Sequence, residues 1–139
     1  MAKAPVQADQ KHVFVINDTV AILELFRSLL EDEGYQVTTD GFSVELVEML
    51  GRVTEAAPDL IILDFVILDE GKGWQFLQLL KLDRASKDIP VIVCTAAAKL
   101  VDDLQTHLDT MGVVVVLKPF DIDHLLQEVE KICGKPIPE

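Results

Sequence analysis

Asp64 follows an uninterrupted apolar run, Leu60-Ile61-Ile62-Leu63, and three other such runs also lead into groups able to do chemistry. Val13-Phe14-Val15-Ile16 leads into Asn17-Asp18, Val91-Ile92-Val93-Cys94 into Thr95, and Val113-Val114-Val115-Val116-Leu117 into Lys118-Pro119-Phe120. Runs of this kind read as strands buried on both faces, the pattern of a parallel α/β sheet. In open sheets of that class ligands bind at the C-terminal edge. Two carboxylates brought together there, Asp18 and Asp64, would repel by ~4 kcal/mol at a separation of about 4 Å and an effective dielectric of about 20. A hard divalent cation removes that repulsion, and Mg²⁺ prefers one or two carboxylates completed by water and phosphate oxygens. With a hydroxyl and an ammonium alongside, such a site has the parts for phosphoryl transfer. An Asp nucleophile forms an acyl phosphate; Lys118 and the cation neutralise the transferred oxygens, and Thr95 hydrogen-bonds one of them.

The segments between these strands must position them. Val20, Leu23, Phe26, Leu29 and Leu30 recur at helical spacing between Asp18 and Glu33, and Gly34 supplies the stop. Tyr35 to Thr39 alternates and reads as a short strand near a sheet edge. Val44 to Ala56 predicts a second amphipathic helix, interrupted by Gly51 and ended before Pro58. Trp74, Phe76, Leu77, Leu80 and Leu82 predict a third helix, and Ala98 to Met111 a fourth, closed by Gly112. Asp121 caps a last helix carrying Ile122, Leu125, Leu126, Val129 and Ile132. Strict alternation of strand and helix with short connections gives a doubly wound, five-stranded parallel sheet with helices on both faces. The weakest strand, the second, belongs at an edge. That favours the order 2-1-3-4-5, with the ligand crevice at the switch point between strands one and three.

Bulk properties narrow the partners. The 139 residues suit one domain that buries its own core without staples. Asp and Glu number 24 against 12 Lys and Arg, a net charge of −12, which repels nucleic acid and anionic membrane and suits cations and basic proteins. Cys94 and Cys133 are far apart and have no metal-ligand spacing, so a reducing cytoplasm is the expected compartment. Residues Met1 to Gln10 lack the apolar stretch of a signal peptide, and no window has the length of a membrane span. The expected organisation is a short flexible N-terminus over residues 1–11, one domain over residues 12–133 and a tail over residues 134–139.

At Val15-Ile16-Asn17-Asp18, Pro58-Asp59-Leu60-Ile61-Ile62-Leu63-Asp64, Thr95-Ala96 and Lys118-Pro119-Phe120 the chain resembles the receiver domains of bacterial two-component response regulators. The match runs from about Val13 to Cys133, and the four motifs occur in order on the right strand ends. The resemblance implies the CheY-like, flavodoxin-like (βα)5 fold and a phosphoacceptor rather than an enzyme with an external substrate; because the chain ends soon after Cys133, a stand-alone module is the expectation. Asp64 would take a phosphoryl group from a histidine kinase or phosphotransfer protein. Asp18, Asp64 and the backbone carbonyl of Val66 would hold Mg²⁺ or Mn²⁺, with Asn17 reaching the ion through water. Thr95, Lys118 and the backbone amide of Ala96 would bind the phosphoryl group. A downstream protein would dock on the face built by the fourth helix, fifth strand and fifth helix, with no direct nucleic-acid contact and no membrane insertion.

Three departures from the family pattern stand out. Asn17 replaces a second acid, which should weaken the hold on the cation. Leu68 replaces a proline, and Gly73 comes one residue late, which predicts a long, acidic, mobile loop over Leu68 to Lys72. Val115 stands at the switch position that an aromatic residue normally fills. Taken singly, Asp64 is a turn former, Asn17, Asp18 and Thr95 are helix caps, and Lys118 is an exposed turn lysine. Only their joint register argues for a site. His12, His107 and His124 are scattered and read as surface residues. The alternative function is a phosphorylation-independent pseudo-receiver that serves as a binding adaptor. A dehalogenase-like phosphatase is disfavoured because Val66 stands where that chemistry needs an acid.

Overall fold

Ten elements alternate along the chain in the computed structural model, which describes residues 10–17, 19–41, 45–64, 70–96, 98–118 and 121–134, without the side chains of 70–72, 98–101 and 104. They are β1 (His12–Ile16), α1 (Val20–Asp32), β2 (Gln36–Asp40), α2 (Leu46–Ala56), β3 (Leu60–Asp64), α3 (Glu70–Leu82), β4 (Val91–Thr95), α4 (Ala98–Thr110), β5 (Val113–Leu117) and α5 (Ile122–Cys133). The five strands form one parallel sheet in the order β2-β1-β3-β4-β5. The order is the one that the strand compositions predict. β3 and β4 are buried at every residue, whereas β2 and β5, at the edges, are buried only in part.

Alternation along each strand divides the core in two. Val13, Val15, Leu60, Ile62, Ile92 and Cys94 face α1 and α5, where Leu23, Phe26, Leu125 and Val129 cover them. Phe14, Ile16, Ile61, Leu63, Val91 and Val93 face α2, α3 and α4, against Met49, Val53, Phe76, Leu80 and Leu108. Because all strands run the same way, their C-terminal ends share one edge. Asn17 leaves β1 there, Asp64 and Thr95 end β3 and β4, and Lys118 leaves β5. Among the described residues no helix is long and apolar enough to cross a membrane.

Several local expectations are corrected. Val20, 68% exposed, and Leu82, 81% exposed, are not core residues. Val20 is the first residue of α1, beyond the turns that meet the sheet. Leu82 lies two residues past Leu80, about 200° round the helix from the buried stripe. α2 runs unbroken through Gly51, since one glycine costs only about 1 kcal/mol and the helix face on Met49 and Val53 is buried. α3 begins at Glu70, four residues before Trp74, so Glu70, Gly71 and Lys72 are helical rather than loop. Leu68 and Asp69, the rest of the expected loop, lie outside the described residues, as do the flexible N-terminus up to residue 9 and the tail from residue 135.

β2 starts one residue late, because the Tyr35 N–H donates to the Leu30 carbonyl at 3.1 Å and still closes α1. The Tyr35 side chain is buried, and its hydroxyl donates to the Gly134 carbonyl at 3.1 Å, tying the end of α5 to the sheet. His12 is part-buried, not a surface residue: its Nε2 lies 2.7 Å from Thr38 Oγ1, and burial lowers its pKa. Asp121 occupies the N-cap position of α5 in an extended conformation but makes no side-chain cap bond. Gly112, at φ +72°, makes the turn from α4 into β5.

Ala57 ends α2 in the left-handed region, at φ 46° and ψ 57°, with its N–H on the Val53 carbonyl at 2.9 Å. Glycine normally takes this position because a Cβ there meets the following carbonyl. Relief of the left-handed conformation, about 1–2 kcal/mol, exceeds the added chain entropy of glycine, about 0.5–1 kcal/mol, so Ala57→Gly should raise the unfolding free energy by about 0.5–1 kcal/mol. Urea denaturation checks this; an unchanged or lower midpoint would show that Ala57 carries no strain.

Candidate functional site

β3 is the central strand of the five, with a neighbour on each side and both faces covered, so its last residue is delivered into the interior of the edge rather than to solvent. Asp64 is accordingly 3% exposed. A carboxylate so placed must find partners or be protonated. It has two. Asn17 Nδ2 donates to Asp64 Oδ2 at 2.6 Å, and Lys118 Nζ meets Oδ1 at 2.5 Å. Oδ1 thus takes an ionic contact but no well-formed hydrogen bond among the described residues. Burial raises the Asp64 pKa, and Lys118 first and Asn17 second pull it back down without cancelling the rise.

Each partner is itself held by a strand end. Asn17 N donates to the Asp40 carbonyl at 3.1 Å, joining the ends of β1 and β2, and its side-chain Oδ1 accepts the Thr19 N–H at 2.6 Å. The second bond closes a turn two residues on and fixes which end of the amide faces Asp64. Lys118 N donates to the Thr95 carbonyl at 2.9 Å, so the end of β4 sets where the Lys118 side chain starts. Thr95 is fully buried, and Ala96 after it is exposed. Cys94, paired in register with Asp64, is also fully buried; burial, then the charge of Asp64, pushes its thiol far up, so it stays neutral packing.

The structure thus joins Asn17, Asp64 and Lys118 directly and links Thr95 to them through Lys118. Asp18 and Val66 lie outside the described residues. Val115 sits in β5 opposite Val93, part-buried against the core on the α3 and α4 side. Among the described residues no three His, Cys, Asp or Glu side chains cluster as a metal site. For Mg²⁺ the described donor set fits in part: a hard carboxylate with one oxygen short of a hydrogen bond suits the ion. The Asn17 amide presents a donor rather than an acceptor. Asp40 was missed from the sequence. It ends β2 at the same edge, is buried, and pairs with Arg52 Nη1 at 2.8 Å. Extending β2 by one residue would have placed an acid at that edge, although the alternation of the strand breaks at Thr39 and does not predict its burial.

The sequence pattern of the response regulator receiver domain matches residues 13–130. The phosphate regulon transcriptional regulatory protein PhoB of Klebsiella pneumoniae is 30% identical over 129 residues, covering 92% of this chain and 54% of that protein. The polar-differentiation response regulator DivK of Brucella ovis is 27% identical over 124 residues, 89% of this chain and 97% of that protein. Among solved structures, chemotaxis protein CheY4 of Vibrio cholerae is similar in fold, with a TM-score of 0.69 at 21% identity over 88% of this chain and 98% of that one. The chain spans about half the length of PhoB and of the transcriptional regulator RpaA of Synechocystis.

The burial of Asp64 has a consequence for stability. Its folded pKa is above its unfolded one, so the folded state binds the extra proton; this contribution is present at low pH and is lost as pH rises through the folded pKa. Asp64→Asn carries no such titration. In EDTA, urea unfolding should show the variant gaining on the parent chain as pH rises from about 3 to 7. A parent chain that gains on the variant instead would show that the Lys118 pair outweighs desolvation.

Proposed function

The chain belongs to the response regulator receiver family, and we propose that Asp64 accepts a phosphoryl group from a histidine kinase or phosphotransfer protein in a Mg²⁺- or Mn²⁺-dependent reaction. The family is one of signalling phosphoacceptors rather than enzymes with external substrates. The observation that carries the reading is the placement of Asp64, a buried carboxylate at the sheet's switch point with a lysine on one oxygen.

A carboxylate oxygen of Asp64 attacks phosphorus, the bond from phosphorus to the donor's imidazole nitrogen breaks, and an acyl phosphate remains on Asp64. Oδ1 is the oxygen placed for this. It lacks a well-formed hydrogen bond, and the Lys118 ammonium beside it can transfer its ionic contact to an oxygen of the arriving group. The Thr95 hydroxyl and the Ala96 amide take further phosphoryl oxygens. Asp18, Asp64 and the Val66 carbonyl would hold the cation, which supplies charge neutralisation when bound. In the cytoplasm, the phosphorylated domain signals by docking on a partner protein through α4, β5 and α5. A surface of net charge −12 disfavours direct nucleic-acid contact.

Two outcomes follow. Incubated with acetyl phosphate and Mg²⁺, the chain should gain the mass of one phosphoryl group, and Asp64→Asn should gain none. No gain under any condition would favour the adaptor reading. Beryllofluoride with Mg²⁺ should move NMR signals over Thr95 to Lys99 more than those of α1. The change runs through the β4–α4 connection because Val115, small and stiff at χ1, has no ring to swing. Equal or larger shifts in α1 would place the output face elsewhere.

A further inference from the structure

Asn17 does more than dilute the charge of the site. Its side chain is almost fully buried, 1% exposed, and both ends of its amide are committed. Oδ1 accepts the Thr19 N–H at 2.6 Å, so the acceptor end is turned into the backbone. Nδ2 lies 2.6 Å from Asp64 Oδ2, so the end facing the site is a donor. A donor on that carboxylate oxygen takes one of its lone pairs and presents a positive hydrogen that repels a cation approaching the same oxygen. An acid at this place would do the opposite on both counts. Rotating the amide to offer Oδ1 would break two hydrogen bonds, one of them to a charged group.

With Lys118 beside the other oxygen, each Asp64 oxygen has one positively polarised neighbour. A cation that uses Oδ2 competes with the Asn17 donor, and one that uses Oδ1 with the Lys118 ammonium. Lys118 is long, about a third exposed and able to follow an incoming phosphoryl group. Asn17 is short and pinned, and it lies directly before Asp18, the other carboxylate of the site, in the chain.

We propose that Asn17 is a latch on the cation site. The resting site is held closed by the Asn17–Asp64 bond, and a divalent cation enters by breaking that bond rather than by gaining Asn17 as a ligand through water. The proposal rests on the reading of Asp64 as a cation-binding phosphoacceptor. It separates two effects of Asn17, loss of charge and addition of a competing donor, which act in the same direction on affinity but respond differently to substitution. Asn17→Ala adds no charge and removes the donor.

Mg²⁺ titration of the metal-free chain by calorimetry should show Asn17→Ala binding about tenfold tighter than the parent, about 1.4 kcal/mol. Equal or weaker binding by Asn17→Ala overturns the latch, weaker binding being what a water-mediated ligand would give. If Asn17→Ala does not fold, the parent chain still decides. The Asn17 side-chain NH₂ signals should shift and exchange faster with solvent at saturating Mg²⁺, and signals that stay fixed and protected overturn the proposal. The phosphoacceptor reading is scored separately by the acetyl phosphate mass gain at Asp64. That gain with no cation-induced change at Asn17 would remove the latch and leave the reading intact.

Discussion

A carboxylate held out of water at the end of a parallel strand is the constraint around which this edge of the molecule is built. Asp64 is the last residue of the central, fully buried strand, and its charge is tolerated only because two other strand ends bring partners to it. Those partners depend in turn on register. Lys118 is aimed by its backbone bond to Thr95, and Asn17 by its bond to Asp40, so a slip of β5 or β1 by one residue would withdraw the lysine or the amide. Removing one partner of a buried charge costs several kilocalories per mole, far more than the pair contributes over an apolar replacement. The sheet order and the site are therefore one specification.

That specification was largely legible in the sequence because it is written in strong signals. Four apolar runs, each followed by a different polar group, give a parallel sheet and one chemical edge, and the weak alternation of Tyr35 to Thr39 identifies the edge strand. What sequence reading missed is of another kind. The exposure of Val20 and Leu82 depends on where a helix leaves the sheet, which periodicity does not encode. The extra turn at the start of α3 runs through Gly71 and Gly73, two residues that read as loop. The direct Asn17–Asp64 bond is a matter of side-chain orientation fixed by the Thr19 N–H, and a reading of charges alone registers only a missing acid.

Conformational transmission from this edge is limited by the residues available to carry it. Val115 is part-buried between Val93 and the core, with no ring to trade places with a hydroxyl. A β-branched side chain has one dominant rotamer, so two discrete packings at this position are unavailable. Under the proposed function, coupling between site and surface would be carried by the connection between β4 and α4. Thr95, already bonded through its carbonyl to Lys118, is the point where both ends of that linkage meet.

The choice of Asn over an acid at position 17 can be weighed by magnitude. A second carboxylate within about 4 Å of Asp64 would add ~4 kcal/mol of repulsion at an effective dielectric of about 20 whenever no cation is bound. An amide donor instead contributes ~1.5–3 kcal/mol as a hydrogen bond to a charged group. Between the two, the metal-free site differs by several kilocalories per mole, a large share of the ~5–15 kcal/mol that stabilises a domain of this size. The acidic version of the site needs an ion to relieve it, whereas this one is internally satisfied at Asp64 Oδ2 by Asn17 and compensated at Oδ1 by Lys118. Under the proposed latch, the same bond that stabilises the resting site would oppose the ion, because a ligand shifts an equilibrium only by its differential affinity for the two states. Stability of the resting fold and affinity for the cation would then be set against each other at a single amide.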